Sequence, residues 1–106
     1  MTIDHGPPRE IEQQIRARGA VLDLEFARSL YMPLASSQPR DGVEIERDVA
    51  YGTDPRHRLD VYRPCGPQSA ALPVLAFFHG GGFVRGDKSD RENIGLYFAR
   101  QGLITV

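Results

Sequence analysis

Residues 79–83 read His79-Gly80-Gly81-Gly82-Phe83, and they follow directly on the apolar run Val74-Leu75-Ala76-Phe77-Phe78. Glycine has no Cβ, so it takes positive φ and lets another atom come close to its N–H. Bare N–H groups in succession at the end of a sheet suit an anion, or the negative oxygen that develops on a carbonyl under nucleophilic attack. The remaining chemistry is sparse. His5, His57 and His79 have no metal-ligand spacing, and there is no Cys-x-x-Cys, so no metal is expected. The single cysteine, Cys65, excludes an internal disulfide, and with Pro64 and Pro67 close by it reads as a bystander in a loop. Neither nucleotide fingerprint fits. Gly81 and Gly86 have the separation of a phosphate-binding loop, but Asp87 intrudes before Lys88-Ser89 and would repel phosphate. The dinucleotide pattern counted from Gly80 and Gly82 requires glycine where Arg85 stands.

The elements that position this stretch are legible as periodicities. The run 74–78 is short, continuous and bounded by Pro73 and glycine, which predicts a strand buried on both faces. Upstream, Val43, Ile45, Val49 and Tyr51 fall on alternate positions, with Arg47 breaking the set, and Leu59 and Val61 alternate again. Gly52-Thr53-Asp54-Pro55 supplies the turn between them, so the two segments are expected to pair as an antiparallel hairpin. Downstream, Ser89 with Glu92 has the spacing of a capping box. Ile94, Tyr97 and Phe98 give the following helix an apolar face, and Gly102 stands where a helix stops. Leu103 to Val106 then reads as a strand. Strand, loop, helix and strand make one βαβ unit, whose crossover is expected to be right-handed. Asp87 and Lys88, just past the glycines, either brace the loop or lie in a solvated turn.

The first 42 residues differ in character. Pro7 and Pro8 suit a first helical turn. Ile11 and Ile15, then Leu22, Phe26 and Leu30, form a stripe at helical spacing interrupted near Gly19. Two short helices or one bent helix are expected, ending before Pro33, with a linker over 34–42. Thirteen basic residues against 14 acidic, in no long block of one sign, argue against a nucleic-acid arm or a polybasic membrane anchor. The chain has neither the pattern of a signal peptide nor an apolar run of membrane-spanning length, and a cytoplasmic protein is expected.

The stretch His79-Gly80-Gly81-Gly82 after an apolar strand resembles the HGGG motif of the α/β-hydrolase esterases and lipases. Asp48-Val49-Ala50-Tyr51-Gly52 and Leu59-Asp60-Val61-Tyr62-Arg63-Pro64 resemble the opening hairpin of the same family, and Gly102-Leu103-Ile104-Thr105-Val106 resembles its fourth strand. The likeness covers roughly residues 43–106 and is strongest toward the hormone-sensitive-lipase-like and kynurenine-formamidase-like esterases. It implies an α/β fold: an N-terminal helical segment over 1–42, which in this group often forms part of a cap, then the N-terminal portion of the hydrolase domain over 43–106. Leu22, Phe26 and Leu30 would then face an acyl pocket. The fourth strand is expected between the second and third, leaving the sheet incomplete and the third strand with an open, apolar edge.

By the same resemblance, Gly81 and Gly82 supply oxyanion-binding N–H groups, Gly80 and His79 shape the loop, and Phe83 adjoins the binding site. His79 is expected to be structural, its ring bonded to backbone, rather than a catalytic base. The implied reaction is hydrolysis of a small-molecule carboxylic ester, or of a related amide or formamide, by a serine nucleophile and without a cofactor. The family's nucleophile lies in Gly-x-Ser-x-Gly, followed by an acid and a histidine. Ser29, Ser36, Ser37, Ser69 and Ser89 all lack flanking glycines at that spacing. The chain therefore reads as the N-terminal part of a hydrolase. The alternative is a truncated, inactive remnant or binding module of the same fold.

Overall fold

The computed structural model describes residues 6–21, 23–68 and 70–106. Leu22 of the helical stripe, and His5 with the rest of the first five residues, lie outside the described residues. The chain forms two compact units, one ending at Leu34 and the other running from Ala35 to Val106.

The first unit is helical. Helix α1 spans Arg9–Arg18, opening at Pro8, whose carbonyl accepts from the Glu12 N–H at 3.0 Å. It ends at Gly19, whose φ of 81° breaks the helical path. Helix α2 spans Leu24–Ser36, and the Asp23 carboxylate caps its start by accepting from the Phe26 N–H at 3.0 Å. Arg18 pairs with the same carboxylate at 2.6 Å and lies 4.8 Å over the Phe26 ring. The break near Gly19 thus yields two helices. The expected stop before Pro33 is wrong: α2 continues through Pro33 to Ser36, so residues 34–36 are helix rather than linker. Proline removes only the N–H that would bond the Ser29 carbonyl, and so near the helix end the loss is one bond.

In the second unit, β1 (Val43–Ala50) and β2 (Arg58–Pro64) form the expected antiparallel hairpin. The irregularity at Arg47 has a definite cause. Glu46 pairs with Val61 and Val49 with Leu59, so β1 carries one residue more than β2 between those pairs. This is a β-bulge that sets Arg47 and Asp48 together opposite Asp60, with Asp48 at φ 58°. Tyr51 is not part of the strand, contrary to the alternation. It lies in the turn, 64% exposed, and its ring stacks on His57 at 5.2 Å.

The sheet order is β1-β2-β4-β3, with β3 at Val74–Leu75 and β4 at Ile104–Thr105. As the family likeness implied, the fourth strand lies between the second and third. It is antiparallel to β2, with Tyr62 opposite Thr105, and parallel to β3. The expectation that 74–78 is buried on both faces fails. The ladder does run on, since the Phe77 N–H bonds the Val106 carbonyl at 2.8 Å. Yet Val74 is 62% and Phe78 87% exposed, because β3 is an edge strand whose apolar side chains no element among the described residues covers.

Helix α3 (Glu92–Arg100) packs on the sheet through Gly95, Leu96 and Ala99, which corrects the face assigned to Ile94, Tyr97 and Phe98. Tyr97 is half exposed, and Ile94 and Phe98 flank the contact. Small residues let the helix come close: Tyr62 fills the space where a Gly95 side chain would stand, and Tyr62, Leu96 and Ala99 form the core with Val43 and Ile45 against it. The stop at Gly102 is realised as a Schellman motif. Gly102 takes φ 92° and donates to the Ala99 carbonyl, while Leu103 donates to that of Phe98. The capping box is not realised. A short 3₁₀ turn, Lys88–Arg91, precedes α3, and Asp87 caps it by accepting from the Ser89 N–H at 2.9 Å and the Ser89 hydroxyl at 2.8 Å. Ser89 is thereby a donor rather than a cap, and Glu92 is held by arginines instead.

Candidate functional site

The five residues singled out in the sequence, His79 to Phe83, lie in one loop between β3 and the 3₁₀ turn. The Gly81 carbonyl accepts from the N–H groups of Val84 and Arg85 at 3.2 and 3.1 Å, closing a turn. Gly81, Gly82 and Phe83 take φ of 146°, 62° and 65°. The glycine requirement differs from one position to the next. A Cβ on Gly81 would stand 1.7 Å from the Arg85 carbonyl oxygen, so no side chain fits there. At Gly82 nothing lies within 4 Å, and only the left-handed backbone disfavours a side chain. A Cβ on Gly86 would stand 2.4 Å from the Gly80 carbonyl oxygen, so the end of the loop is pressed against its beginning.

Among the described residues, none accepts a hydrogen bond from the N–H of Gly80, Gly81 or Gly82. Gly80 and Gly82 are exposed and Gly81 half-buried, so these donors are open to solvent, and a run of free N–H groups is what an anion or oxyanion site presents. His79 Nδ1 lies 3.0 Å from the Gly80 carbonyl oxygen, a contact that is a hydrogen bond when Nδ1 carries the proton. Phe83 is fully exposed. The loop borders a cleft of about 1010 Å³ that Asp60, Tyr62, Arg58 and Val106 also line.

Behind the loop lies a charge network of which the sequence suggested only Lys88, as one of two alternatives, and not its partners. Asp60 is 4% exposed. Its Oδ1 accepts from the Asp48 N–H at 3.0 Å and pairs with Lys88 Nζ at 2.8 Å, and its Oδ2 lies 3.5 Å from Arg47 Nη1. Lys88 also reaches Asp48 at 2.7 Å. Glu92 is gripped by Arg40 through both oxygens and by Arg47 at 2.5 Å. The alternation of Leu59 and Val61 pointed the other way: in β2 these two are half-buried, and Asp60 and Tyr62 are the buried positions. Among the described residues no group of three or more histidines, cysteines or acids is arranged to hold a metal. No helix among them is long and apolar enough to cross a membrane.

The Arg40 fork, then the Arg47 contact, holds the Glu92 carboxyl down from 4.5 to about 2. A carboxylate depressed by folding contributes stability that is complete above its unfolded value and lost as pH falls through its folded one. The window for Glu92 is therefore between about pH 4.5 and 2. Asp23 and Asp87 are lowered in the same direction, chiefly by the N–H groups of Phe26 and Ser89. Glu92→Gln should flatten, without abolishing, the loss of stability across that window. Urea midpoints measured against pH for both proteins check this, and parallel curves would show that Glu92 takes no part.

No protein-family model matches the chain. It is 38% identical over 82 residues to the probable isoprenylcysteine alpha-carbonyl methylesterase ICMEL2 of Arabidopsis thaliana, covering 76% of this chain and 18% of that protein. It is 39% identical over 63 residues to the probable isoprenylcysteine alpha-carbonyl methylesterase ICME of Oryza sativa subsp. japonica, covering 59% of this chain and 15% of that protein. The chain thus spans less than a fifth of these relatives. A crystal structure of esterase B from Lactobacillus rhamnosis superposes with a TM-score of 0.60, covering 92% of this chain and 30% of that one. At 23% identity that likeness is one of fold.

Proposed function

The chain belongs to the α/β-hydrolase esterases, and from that premise we propose that it carries the oxyanion-binding loop of a serine carboxylesterase. The observation that supports this reading best is the pair of N–H groups on Gly81 and Gly82, without an acceptor among the described residues, in the loop that follows β3. Hydroxyl attack on an ester carbonyl turns a neutral oxygen into a negative one. Donors already fixed toward that position stabilise it without reorganising at the moment of reaction. In this reading the serine, its base and the orienting acid come from elsewhere in the full-length protein. The residue after the serine adds a further N–H. Gly80 and His79 hold the loop, and Phe83 borders the substrate.

The substrate class is a small carboxylic ester. The plant relatives are named for methyl-ester hydrolysis, so a methyl ester belongs in the panel beside short aryl esters. The full-length gene product is expected to hydrolyse p-nitrophenyl acetate or butyrate and to lose that activity to a serine-directed fluorophosphonate. A product that neither hydrolyses any of these esters nor takes up the label would instead be a binding module of the same fold.

A further inference from the structure

We infer that the ion pair between Lys88 and the buried Asp60 is the clamp that positions the glycine loop, making Lys88 and Asp60 positioning residues for the reaction. This rests on the reading of Gly81 and Gly82 as oxyanion donors. Among the described residues, the segment 79–86 makes no hydrogen bond outside itself: its bonds run from Val84 and Arg85 to Gly81, and between His79 and Gly80. It therefore hangs between two attachments. One is the end of the β3 ladder, where Phe77 bonds Val106. The other is Lys88, whose ammonium reaches Asp60 at 2.8 Å and Asp48 at 2.7 Å.

The second attachment is transmitted inward by close packing. Asp87 is fixed against Ser89 by its capping bonds. Gly86, one residue earlier, lies so tightly against Gly80 and His79 that a Cβ would overlap the Gly80 carbonyl. Lys88 stands two residues after Gly86, and Gly86 packs against Gly80 at the start of the donor run, so releasing the Lys88 end loosens that contact. The Asp60 end is held for separate reasons. Its carboxylate is buried, it accepts the N–H of the bulge residue Asp48, and Arg47 from the same bulge faces its other oxygen. The bulge thus serves a purpose: it brings Arg47 and Asp48 together opposite one acid. A buried ion pair is a poor means of gaining stability, because desolvation offsets the attraction. It does fix geometry, and oxyanion donors need that.

The test uses Lys88→Met and Lys88→Arg in the full-length protein, read by steady-state kinetics per folded molecule and by hydrogen exchange of the amides from Gly81 to Arg85. Lys88→Met is expected to lower kcat by about 10- to 100-fold, the scale of a misplacement near 1 Å, with KM changing far less. It should also speed exchange in the loop. Lys88→Arg keeps the charge and should recover most of both. If Lys88→Met does not fold, Asp48→Asn, on a side chain 68% exposed, is read by the same two measures and should shift both in the same direction by less. Wild-type kcat and wild-type loop exchange in the charge-removing variant would overturn the clamp. A wild-type protein without esterase activity would overturn the functional reading, and loop exchange would then judge the clamp on its own.

Discussion

Replacing Gly81 with valine in the full-length protein is expected to lower ester turnover by about 100- to 1000-fold, the loss that follows removal of one oxyanion donor. Two independent constraints meet at this residue. Its φ of 146° lies where side-chain-bearing residues rarely go, and a Cβ would stand 1.7 Å from the Arg85 carbonyl oxygen. The obstacle is backbone, so it cannot swing aside as a side chain would. The turn that Gly81 closes with Val84 and Arg85 must open, and the N–H groups of Gly81 and Gly82 turn with it. Gly82→Ala is the informative contrast. It has open space around the new methyl and a φ of 62°, so it carries only the penalty of a left-handed residue, about 1–2 kcal/mol. Gly82→Ala should therefore lose much less turnover than Gly81→Val. Both variants should lower the melting midpoint, Gly82→Ala by the few degrees that a left-handed residue costs and Gly81→Val by more, because its turn must open. Wild-type turnover in Gly81→Val would mean that the loop is not where the oxyanion sits.

Gly95→Ala is expected to destabilise the fold, and Gly95→Val to do so more strongly, by about 1–3 kcal/mol of overpacking. The sign is what makes this informative. On helix propensity alone, alanine in place of glycine in a helix interior should stabilise by roughly 0.5–1 kcal/mol. Here, however, a Cβ would stand 2.4 to 2.6 Å from three atoms of the Tyr62 ring. That ring is 5% exposed and belongs to the core with Leu96 and Ala99, against which Val43 and Ile45 pack, so turning it away breaks those contacts. The alternative is for α3 to lift away from β2, which exposes the core and slackens the Glu92 contacts with Arg40 and Arg47. Thermal unfolding of the three proteins side by side decides the matter. A raised midpoint for Gly95→Ala would show that the helix and sheet have more room than the packing indicates.

Where one residue type has one physical use, the sequence was a reliable guide. Gly19 and Gly102 stop helices because positive φ ends the ladder, and the turn at 52–55 closed a hairpin between two alternating segments. The strand order followed from the family likeness and not from periodicity. What escaped was whatever depended on a partner distant in sequence. The local pattern of the run 74–78 is that of a strand buried on both faces, and only the family likeness, with its incomplete sheet, anticipated the open, apolar edge that is observed. Ser89 and Glu92 have the spacing to cap one another, yet Asp87 is nearer to Ser89, and two arginines from 45 and 52 residues away claim Glu92. Arg47 read as a flaw in an alternation, and it is half of a bulge built around Asp60. The glycines themselves were found at once, because a missing side chain is a local fact. The acid and lysine behind them are a tertiary one.

In the proposed reaction the N–H groups of Gly81 and Gly82 receive the oxygen that becomes negative as an ester is cleaved. The most direct measurement is a crystal structure of the full-length protein after reaction with a short-chain phosphonate, whose phosphoryl oxygen stands in for that oxygen. The expected result is a covalent serine adduct with the phosphoryl oxygen about 2.7–3.1 Å from both glycine nitrogens. An adduct whose oxygen points into another part of the site, with the Gly81 and Gly82 donors still unengaged, would contradict it.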